Sequence, residues 1–465
     1  MGNGREFGSE QPARRQRPQS DKGFANQRRL LALGDAIDKN NGVSGKSKTY
    51  HPHSVRRRVI ISAISVVVVI AAVVGGAYLY ANWRFDQINR IRVGYEAKPI
   101  SGQPFNILMI GSDSRAGLSG ILAKETGATV TPGQRSDVLK IVHVDPNAGT
   151  ISMISVPRDT VVTLLANQSL YGRFNRINVN FGNGPSLLVH TITANFGIPI
   201  QQTIVVSFAG LINAADALGG VYLDFPYPSR DPYSDLNIPN AGCQLIKGLQ
   251  ALAVTRSRHM YYNVKGSRYW PRNATGTALA NDPAIDQEVY NDGWDYDGSS
   301  DFGRIDRQNA FLRAMVDRAK KLYNPLTINS FLSQLPQGVT LDNNFSLNEL
   351  IGLAVRFHSI NANAIRTYTL PTVAATNSTL GDVLFVDQPS AQQLFAQIFG
   401  SELKAPTNPP PNTALQTPQP PTVATTVPKK IPTTSTTTKH AKATTTTTNP
   451  TLAQPSFDPK PCSPT

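Results

Sequence analysis

Arginine and aspartate side chains recur at the ends of predicted strands and helices, where together they could bind phosphate. The set consists of Asp113, Arg115, Arg135, Asp137, Arg158, Asp159, Arg176, Arg256, Arg258, Arg304 and Gln308. Guanidinium groups bind phosphate oxygens in a bidentate manner, and aspartate carboxylates can hold Mg²⁺. The sequence shows no G-x-S-x-G elbow, no Walker loop and no Cys/His metal cluster. These residue types therefore indicate a phosphorylated or pyrophosphorylated ligand.

The segment 135–159 concentrates these charges around two apolar runs. Val138–Val144 and Thr150–Val156 are rich in β-branched residues and flank a DPNAG turn, which predicts an antiparallel strand pair. Antiparallel pairing brings the charged residues at the outer ends to one edge of the sheet: Arg135, Asp137, Arg158 and Asp159. Surface ion pairs would be the ordinary explanation. The recurrence of the same charges elsewhere in the chain favours a ligand site.

The clearest amphipathic helix is predicted for Arg304–Leu322. Its apolar stripe has helical spacing and consists of Leu312, Met315, Val316 and Ala319. Counting back by fours from Leu312 gives Gln308 and Arg304, which should also point inward, and Arg307 lies next to this face. An inward arginine at a helix N-terminus, where the helix dipole favours negative charge, calls for an anion. A salt bridge to a carboxylate at the edge of the core is the alternative.

The net charge of +14 is concentrated in the two terminal segments. Residues 1–58 hold 13 Lys and Arg against 5 Asp and Glu, and residues 401–465 hold 6 against 2. The remaining 342 residues hold 26 against 24 and are nearly neutral. The sequence therefore predicts that the folded part does not bind nucleic acid.

A membrane anchor is predicted for Val59–Tyr80, which has 22 residues and no charged side chain. A helix of this length rises about 33 Å and spans a bilayer core. Three arginines, 56–58, precede it, so the positive-inside rule predicts a cytoplasmic N-terminus and an extracytoplasmic remainder in a single-pass protein of the cell membrane. A cleaved signal peptide is the alternative, which the long basic segment and the long apolar run disfavour.

Composition predicts five regions. Residues 1–58 form a disordered basic tail with at most a short helix at Leu30–Ile37, and 59–80 form the transmembrane helix. Residues 81–103 form a stalk, 104–400 a catalytic domain, and 401–465 a disordered Pro/Thr-rich tail. Alternating strands and helices predict a layered α/β/α domain with a central mixed sheet. Met260–Ser300 is expected to be a long loop. Whether the two cysteines, Cys243 and Cys462, form a bridge is left open.

Seven segments in this order resemble the LytR–CpsA–Psr family of cell-wall glycopolymer ligases. They are NILMIGSDSR (106–115), RSDVLKIVHVDP (135–146), ISMISVPRDT (151–160), NRINVNFGNG (175–184), VVSFAGLINAADALGGVYLDF (205–225), LIKGLQALAVTRSRH (245–259) and DFGRIDRQNAFLRAM (301–315). Each segment alone is weakly diagnostic, but the ordered set covers about 210 residues. Arg176 stands where the family often has Lys, and Lys247 where Asp is common. The segment 260–300 is longer than usual, which puts the shape of the acceptor groove in doubt.

The resemblance implies a ligase that binds a polyprenyl-pyrophosphate-linked glycan, with the lipid in an apolar tunnel. It would transfer the glycosyl phosphate to a peptidoglycan acceptor and release polyprenyl phosphate. Mg²⁺ is expected at Asp113 and Asp137, and Asp159 matches the aspartate of the PRD motif. The pyrophosphate is expected among Arg115, Arg135, Arg158, Arg176, Arg256, Arg258, Arg304, Arg307 and Gln308.

Several features remain open at the level of the sequence. Arg158 is expected to take part in catalysis, and either Asp137 or Asp159 could accept the proton of the acceptor hydroxyl. The basic N-terminal tail and the Thr/Pro-rich C-terminal tail suggest arabinogalactan as the glycopolymer. A polyprenyl-pyrophosphate pyrophosphatase would use the same site with water as the acceptor. A membrane-anchored protein that binds or regulates lipid-linked glycan without catalysis is the third interpretation.

Overall fold

The computed structural model describes residues 22–40, 52–100, 102–112, 136–320, 325–357, 364–400, 403–411 and 457–463. The chain divides into two compact units, residues 1–75 and 76–465. Asp113, Arg115 and Arg135 lie outside the described residues, and of Asp137 only the main chain is described.

The N-terminal part of the chain contains two helices. Lys22–Asn40 is longer than the short helix predicted at Leu30–Ile37, because polar residues on either side continue the same helix. Pro52–Phe85 contains the predicted span, and within it Arg56–Phe85 is long and apolar enough to cross a membrane. No part of the apolar window of this helix is covered by protein. A helix that is apolar on all sides and uncovered suits a lipid environment.

The second unit is built on a seven-stranded mixed sheet, as predicted. The strands of the described chain are β1 (Asn89–Ile91), β2 (Phe105–Ser112), β3 (Ser136–Asp145), β4 (Thr150–Val156), β5 (Val161–Thr163), β6 (Phe174–Arg176), β7 (Gln202–Val206), β8 (Val221–Phe225), β9 (Ser229–Asp231), β10 (Leu236–Ile238), β11 (Gly242–Ile246), β12 (Tyr261–Asn263), β13 (Trp294–Tyr296), β14 (Val339–Asp342), β15 (Arg366–Thr369), β16 (Thr372–Asn377), β17 (Gly381–Val386) and β18 (Lys460–Pro461). The sheet order is β1-β14-β7-β2-β3-β4-β15. Strands β2–β3 and β3–β4 pair antiparallel, which confirms the predicted hairpin, while β2–β7 and β4–β15 pair parallel.

Helices on both faces of the central sheet, and helices that pack on the smaller sheets, complete the second unit. They are Gln168–Tyr171, Pro185–Phe196, Phe208–Ala217, Gly248–Arg256, Gly276–Asn281, Pro283–Asn291, Ser300–Ala319, Pro325–Gln334, Leu347–Phe357 and Gln388–Phe399, with 3₁₀ turns at Ile177–Asn183 and Leu335–Gln337. We call Ser300–Ala319 the site helix. It is the helix predicted at Arg304–Leu322, and it begins four residues earlier.

The pleat of β3 separates the main core from the functional face. Leu139 and Ile141 pack with Leu108 and Ile110 of β2 against the helices on one side of the sheet. The alternate residue Val142 faces the site helix on the other side. Successive side chains of a strand point to opposite faces, so the apolar run of β3 serves two layers.

The segment predicted as one long loop, 260–300, has its own short elements. It holds β12, two helices and β13, and these strands join β9 and β10 in a four-stranded sheet. Trp294 and Val289 are buried there, with the ring of Trp270 at 5.0 Å from that of Trp294. The prediction was wrong because elements of three to nine residues show no periodicity in the sequence, and aromatic packing holds them.

Two short segments of the tail predicted to be disordered, 403–411 and 457–463, have a described structure. Strand β18 pairs antiparallel with β8, and Cys462 forms a disulfide with Cys243 of β11, with 6.0 Å between the Cα atoms. Residues 403–411 also have a described path, and 412–456 lie outside the described residues. A long-range disulfide and buried contacts order this short segment, and its local composition does not reveal them.

Candidate active site

A cavity of about 430 Å³ lies between one face of the central sheet and three helices. The helices are Phe208–Ala217, Gly248–Arg256 and the site helix. Apolar side chains form much of the wall, among them Met109, Val138, Leu211, Leu252, Phe311 and Met315. The volume falls within the range of about 300–1,000 Å³ that is usual for ligand sites.

Four arginines and a glutamine complete the wall of this apolar cavity: Arg158, Arg256, Arg258, Arg304 and Gln308. They come from the end of β4, from the end of the helix Gly248–Arg256 and from the site helix. The structure brings these five of the predicted residues together in one cavity wall. Helical counting from Leu312 correctly placed Arg304 and Gln308 inward, since both side chains are buried.

Asp301 links two of the cavity arginines. Its Oδ1 lies 2.7 Å from Nη2 of Arg258, and its Oδ2 lies 3.0 Å from Nη2 of Arg304. The salt bridge considered for Arg304 therefore exists, yet the same guanidinium also lines the cavity. Asp301 was missed as a site residue, because the sequence presents it only as an acidic residue at a helix N-terminus.

Asp231 orders the turn that carries Arg258. Its fully buried Oδ2 accepts hydrogen bonds from Oγ of Ser257 at 2.7 Å and from the backbone N–H groups of Arg258 and His259 at 2.9 Å each. Its Oδ1 accepts from the backbone N–H of Tyr233 at 2.9 Å. The backbone N–H of Ser234 also donates to Oδ1, at 3.2 Å. A buried carboxylate with five donors is a rigid anchor, so Asp231 fixes the direction in which the turn presents its side chains.

Asp159 of the PRD motif lies beside two guanidinium groups. Its oxygens are 3.5 Å from Nε of Arg158 and 3.2 Å from Nε of Arg176. Arg176 does not line the cavity; it also donates to the backbone oxygen of Asp382 at 3.0 Å. Arg176 therefore joins the turn at Asp159 to strand β17.

Arg307 does not line the cavity either. Its side chain is fully buried, and Nη1 contacts Asp297 at 2.7 Å and Asp458 at 2.8 Å. Its Nη2 donates to the backbone oxygen of Ser257 at 3.1 Å. The expectation that it contacts pyrophosphate is corrected, because Arg307 lies one residue before Gln308 on the helix and its side chain is turned away from the cavity.

Lys140 is a buried lysine in the cavity wall that the sequence prediction did not include. Its Nζ donates to Oγ of Ser155 and to Oδ1 of Asn309, both at 2.7 Å. Burial lowers the pKa of Lys140 to about 7, and the nearby charge of Asp306 opposes this shift. The available signal was a lysine within the apolar strand VLKIVHV, on the same face as Val138.

The main chain at Asp137 forms a bulge. Gly111 pairs with Val138 and Ser112 with Ser136, so Asp137 is the extra residue of β3 at the end of β2. A Cβ atom at Gly111 would lie 2.7 Å from Cβ of Val138, so glycine permits this close pairing. Bulges redirect side chains and occur next to active sites. Among the described residues, no group of three His, Cys, Asp or Glu could hold a metal ion.

The comparison with protein families decides the identity of the fold. The model of the LytR_cpsA_psr family matches residues 85–266 and 294–399. The chain belongs to the LytR_cpsA_psr family. The gap in the match, 267–293, lies inside the segment that the sequence marked as longer than usual, and Asp458 and Cys462 lie beyond the match.

Individual members of the LytR_cpsA_psr family share about a quarter of their aligned residues with the chain. LcpB of Corynebacterium glutamicum, a probable cell wall biosynthesis protein, is 27% identical over 68% of the chain and 66% of its own length. TagV of Bacillus subtilis, a polyisoprenyl-teichoic acid–peptidoglycan teichoic acid transferase, is 26% identical over 68% of the chain and 70% of its own length. The solved structure of a LytR-Csp2A-Psr enzyme from Actinomyces oris is 20% identical, with a TM-score of 0.49, and covers 69% of the chain and 97% of that structure. The chain thus spans just under two thirds of the length of LcpB.

Proposed function

We propose that this protein transfers a glycopolymer, as a glycosyl phosphate, from a polyprenyl-pyrophosphate carrier to peptidoglycan and releases polyprenyl phosphate. The observation that carries the proposal is the meeting of an apolar cavity with four arginines in one wall. Each buried CH₂ of a prenyl chain contributes about 0.8 kcal/mol, and the guanidinium groups bind a diphosphate in a bidentate manner. The name of TagV describes the same class of transfer.

In the proposed reaction, an acceptor hydroxyl attacks the phosphorus that carries the glycan. A new P–O bond forms to peptidoglycan, and the bond from that phosphorus to the bridging oxygen breaks. The leaving group is polyprenyl phosphate, whose negative charge the arginines stabilise. Transfer of this kind depends mainly on positioning and on charge neutralisation. Arg158 and Arg258 are partly exposed, so their guanidinium groups can meet a ligand that enters from solvent.

The proton of the acceptor hydroxyl would go to Asp137. Both carboxylate oxygens of Asp159 already face guanidinium groups, which suits Asp159 to orient Arg158. The bulge directs the main chain at Asp137 differently from the rest of β3. Mg²⁺, held through carboxylate oxygens of Asp113 and Asp137, would supply further neutralisation of the pyrophosphate. Two carboxylates fit this ion, because Mg²⁺ commonly completes its shell with substrate phosphates and water.

The proposed location is the cell membrane, with a cytoplasmic N-terminus and an extracytoplasmic catalytic domain. The helix Arg56–Phe85 with its preceding arginines supports this topology. The disulfide Cys243–Cys462 supports it independently, since disulfides persist in oxidising compartments. Arabinogalactan remains our proposal for the glycopolymer, on the basis of the two tails alone.

The test uses the full-length protein in detergent with a labelled polyprenyl-pyrophosphate-linked glycan and peptidoglycan fragments. We expect release of polyprenyl phosphate that depends on the acceptor and is lost in Arg158→Met. Arg366→Met is the matched control, because Arg366 is exposed on the edge strand β15. Equal release without acceptor would indicate a pyrophosphatase, and binding without release would indicate a non-catalytic protein.

A further inference from the structure

One buried guanidinium connects the C-terminal end of the chain to the cavity arginines. Arg307 contacts Asp297 and Asp458 through Nη1, and its Nη2 donates to the backbone oxygen of Ser257. Asp458 is 151 residues away from Arg307 in the sequence, and its side chain is also fully buried. A single side chain therefore joins the site helix, the turn at Ser257 and the segment 457–463.

The turn at Ser257 is the part of the site that this contact controls. Ser257 stands between Arg256 and Arg258, both of which line the cavity. Asp231 holds the turn through its N–H and hydroxyl groups, and Arg307 holds its backbone oxygen. With both sides of the turn fixed, the two arginines keep their positions before a ligand arrives.

The segment 457–463 is in turn fixed by three independent contacts. Backbone pairing joins Lys460 and Pro461 to β8, and the disulfide joins Cys462 to β11. The ring of Phe457 stacks on Tyr262, with 4.7 Å between centroids and 9° between planes. These contacts lie on both sides of Asp458 in the sequence, and they hold its carboxylate against Arg307.

The charges at this junction indicate more than a stabilising ion pair. Asp297 alone would neutralise Arg307, and both of these side chains are fully buried. A second buried carboxylate adds a desolvation cost, so Asp458 is not required for charge balance. Asp458 instead orients the guanidinium of Arg307. It holds Nη1, and Nη2 then points to the backbone oxygen of Ser257. A Cβ atom at Gly303 would lie 2.9 Å from Nη2 of Arg307, so glycine at this position leaves the space that the guanidinium occupies.

We infer that Asp458, tethered by the Cys243–Cys462 disulfide, is a positioning residue that holds Arg256 and Arg258 in place through Arg307. This inference rests on the proposed function, because it gives these arginines their pyrophosphate ligand. On this inference the segment 457–463 contributes to the geometry of the site, although it lies outside the match to the LytR_cpsA_psr family.

The test compares full-length variants in detergent at a temperature well below their melting points. Asp458→Ala should lower kcat/KM for acceptor-dependent release of polyprenyl phosphate by roughly 10- to 100-fold, the scale of a small displacement of catalytic groups. It should also weaken binding of geranylgeranyl pyrophosphate, the probe for the arginine cluster. Asp458→Asn keeps an acceptor oxygen for Arg307 and should restore most of the rate.

Two controls separate positioning from stability. Lys460→Ala removes an exposed side chain of the same segment and should leave both quantities unchanged. Leu394→Ala, in the core on the opposite face of the sheet, should lower the melting temperature without lowering kcat/KM. Equal kcat/KM in Asp458→Ala and Leu394→Ala, with unchanged binding of the probe, would overturn the inference.

Reduction of the disulfide gives a second, mutation-free perturbation. Reductant should lower the rate and the probe affinity of the wild type, and it should have no effect on a variant that carries both Cys243→Ser and Cys462→Ser. An unchanged wild-type rate and affinity after complete reduction would contradict the tether. Failure of the wild type to bind the probe at all would instead refute the proposed function, so the two failures are distinguishable.

Discussion

Replacement of Lys140 by methionine should abolish a pH dependence of stability that burial creates. The pKa of Lys140 falls from 10.5 to about 7 because its Nζ is fully removed from water. Between these two pH values the unfolded chain holds a proton that the folded chain has lost. The free energy of unfolding therefore rises with pH in this window. The contribution of Lys140 is least favourable to the folded state at about pH 7 and below, where folding must bury the charged ammonium group.

The slope from this one group is about 1.4 kcal/mol per pH unit within the window, since one pKa unit corresponds to that free energy. The value of about 7 includes the effect of nearby charges. Asp306 raises the pKa of Lys140, while Arg304 and Arg313 lower it. Methionine keeps the unbranched shape but carries no proton. The two partners of Nζ, Oγ of Ser155 and Oδ1 of Asn309, lie 3.4 Å from each other.

The measurement is urea unfolding of the wild type and Lys140→Met at pH 7.0, 8.0 and 9.0 in detergent. The difference between the two proteins isolates Lys140 from the other titrating groups. We expect the wild type to gain stability relative to the variant by about 1 kcal/mol or more per pH unit. A difference that does not change with pH, or that has the opposite sign, would refute the view that Lys140 is buried with a lowered pKa.

The remaining predictions concern the arginine cluster and the topology. Arg304→Ala should change the free energy of unfolding little, because Asp301 keeps Arg258 as its partner at 2.7 Å. The same change should weaken binding of a polyprenyl pyrophosphate by roughly 1.5–3 kcal/mol, as expected for a lost charged hydrogen bond. Thermal melts with and without ligand measure both effects. A decrease of about 3–5 kcal/mol in the free energy of unfolding without ligand would instead indicate a structural ion pair. A reporter fused after residue 400 should be active only outside the cytoplasm, and cytoplasmic activity would overturn the proposed orientation.

The sequence predicted those parts of the site that depend on local periodicity. The alternation in β3 and β4 revealed the hairpin, and a spacing of four residues placed Arg304 and Gln308 in the cavity wall. The contacts of Asp231 with Ser257 and of Asp458 with Arg307 could not be predicted, because these partners lie 26 and 151 residues away in the sequence. Arg307 shows the limit of the helical count. It neighbours Gln308 on the helix, yet its side chain contacts the buried carboxylates of Asp297 and Asp458 and does not line the cavity.

The central claim is that the glycan moves together with its phosphate, and the masses of the two products test it most directly. Full-length protein would be incubated with polyprenyl-pyrophosphate-linked glycan and peptidoglycan fragments, and both products would be analysed by mass spectrometry. The proposed mechanism predicts polyprenyl monophosphate and a glycan joined to peptidoglycan through a phosphodiester. Release of polyprenyl pyrophosphate, together with a linkage that contains no phosphorus, would contradict it.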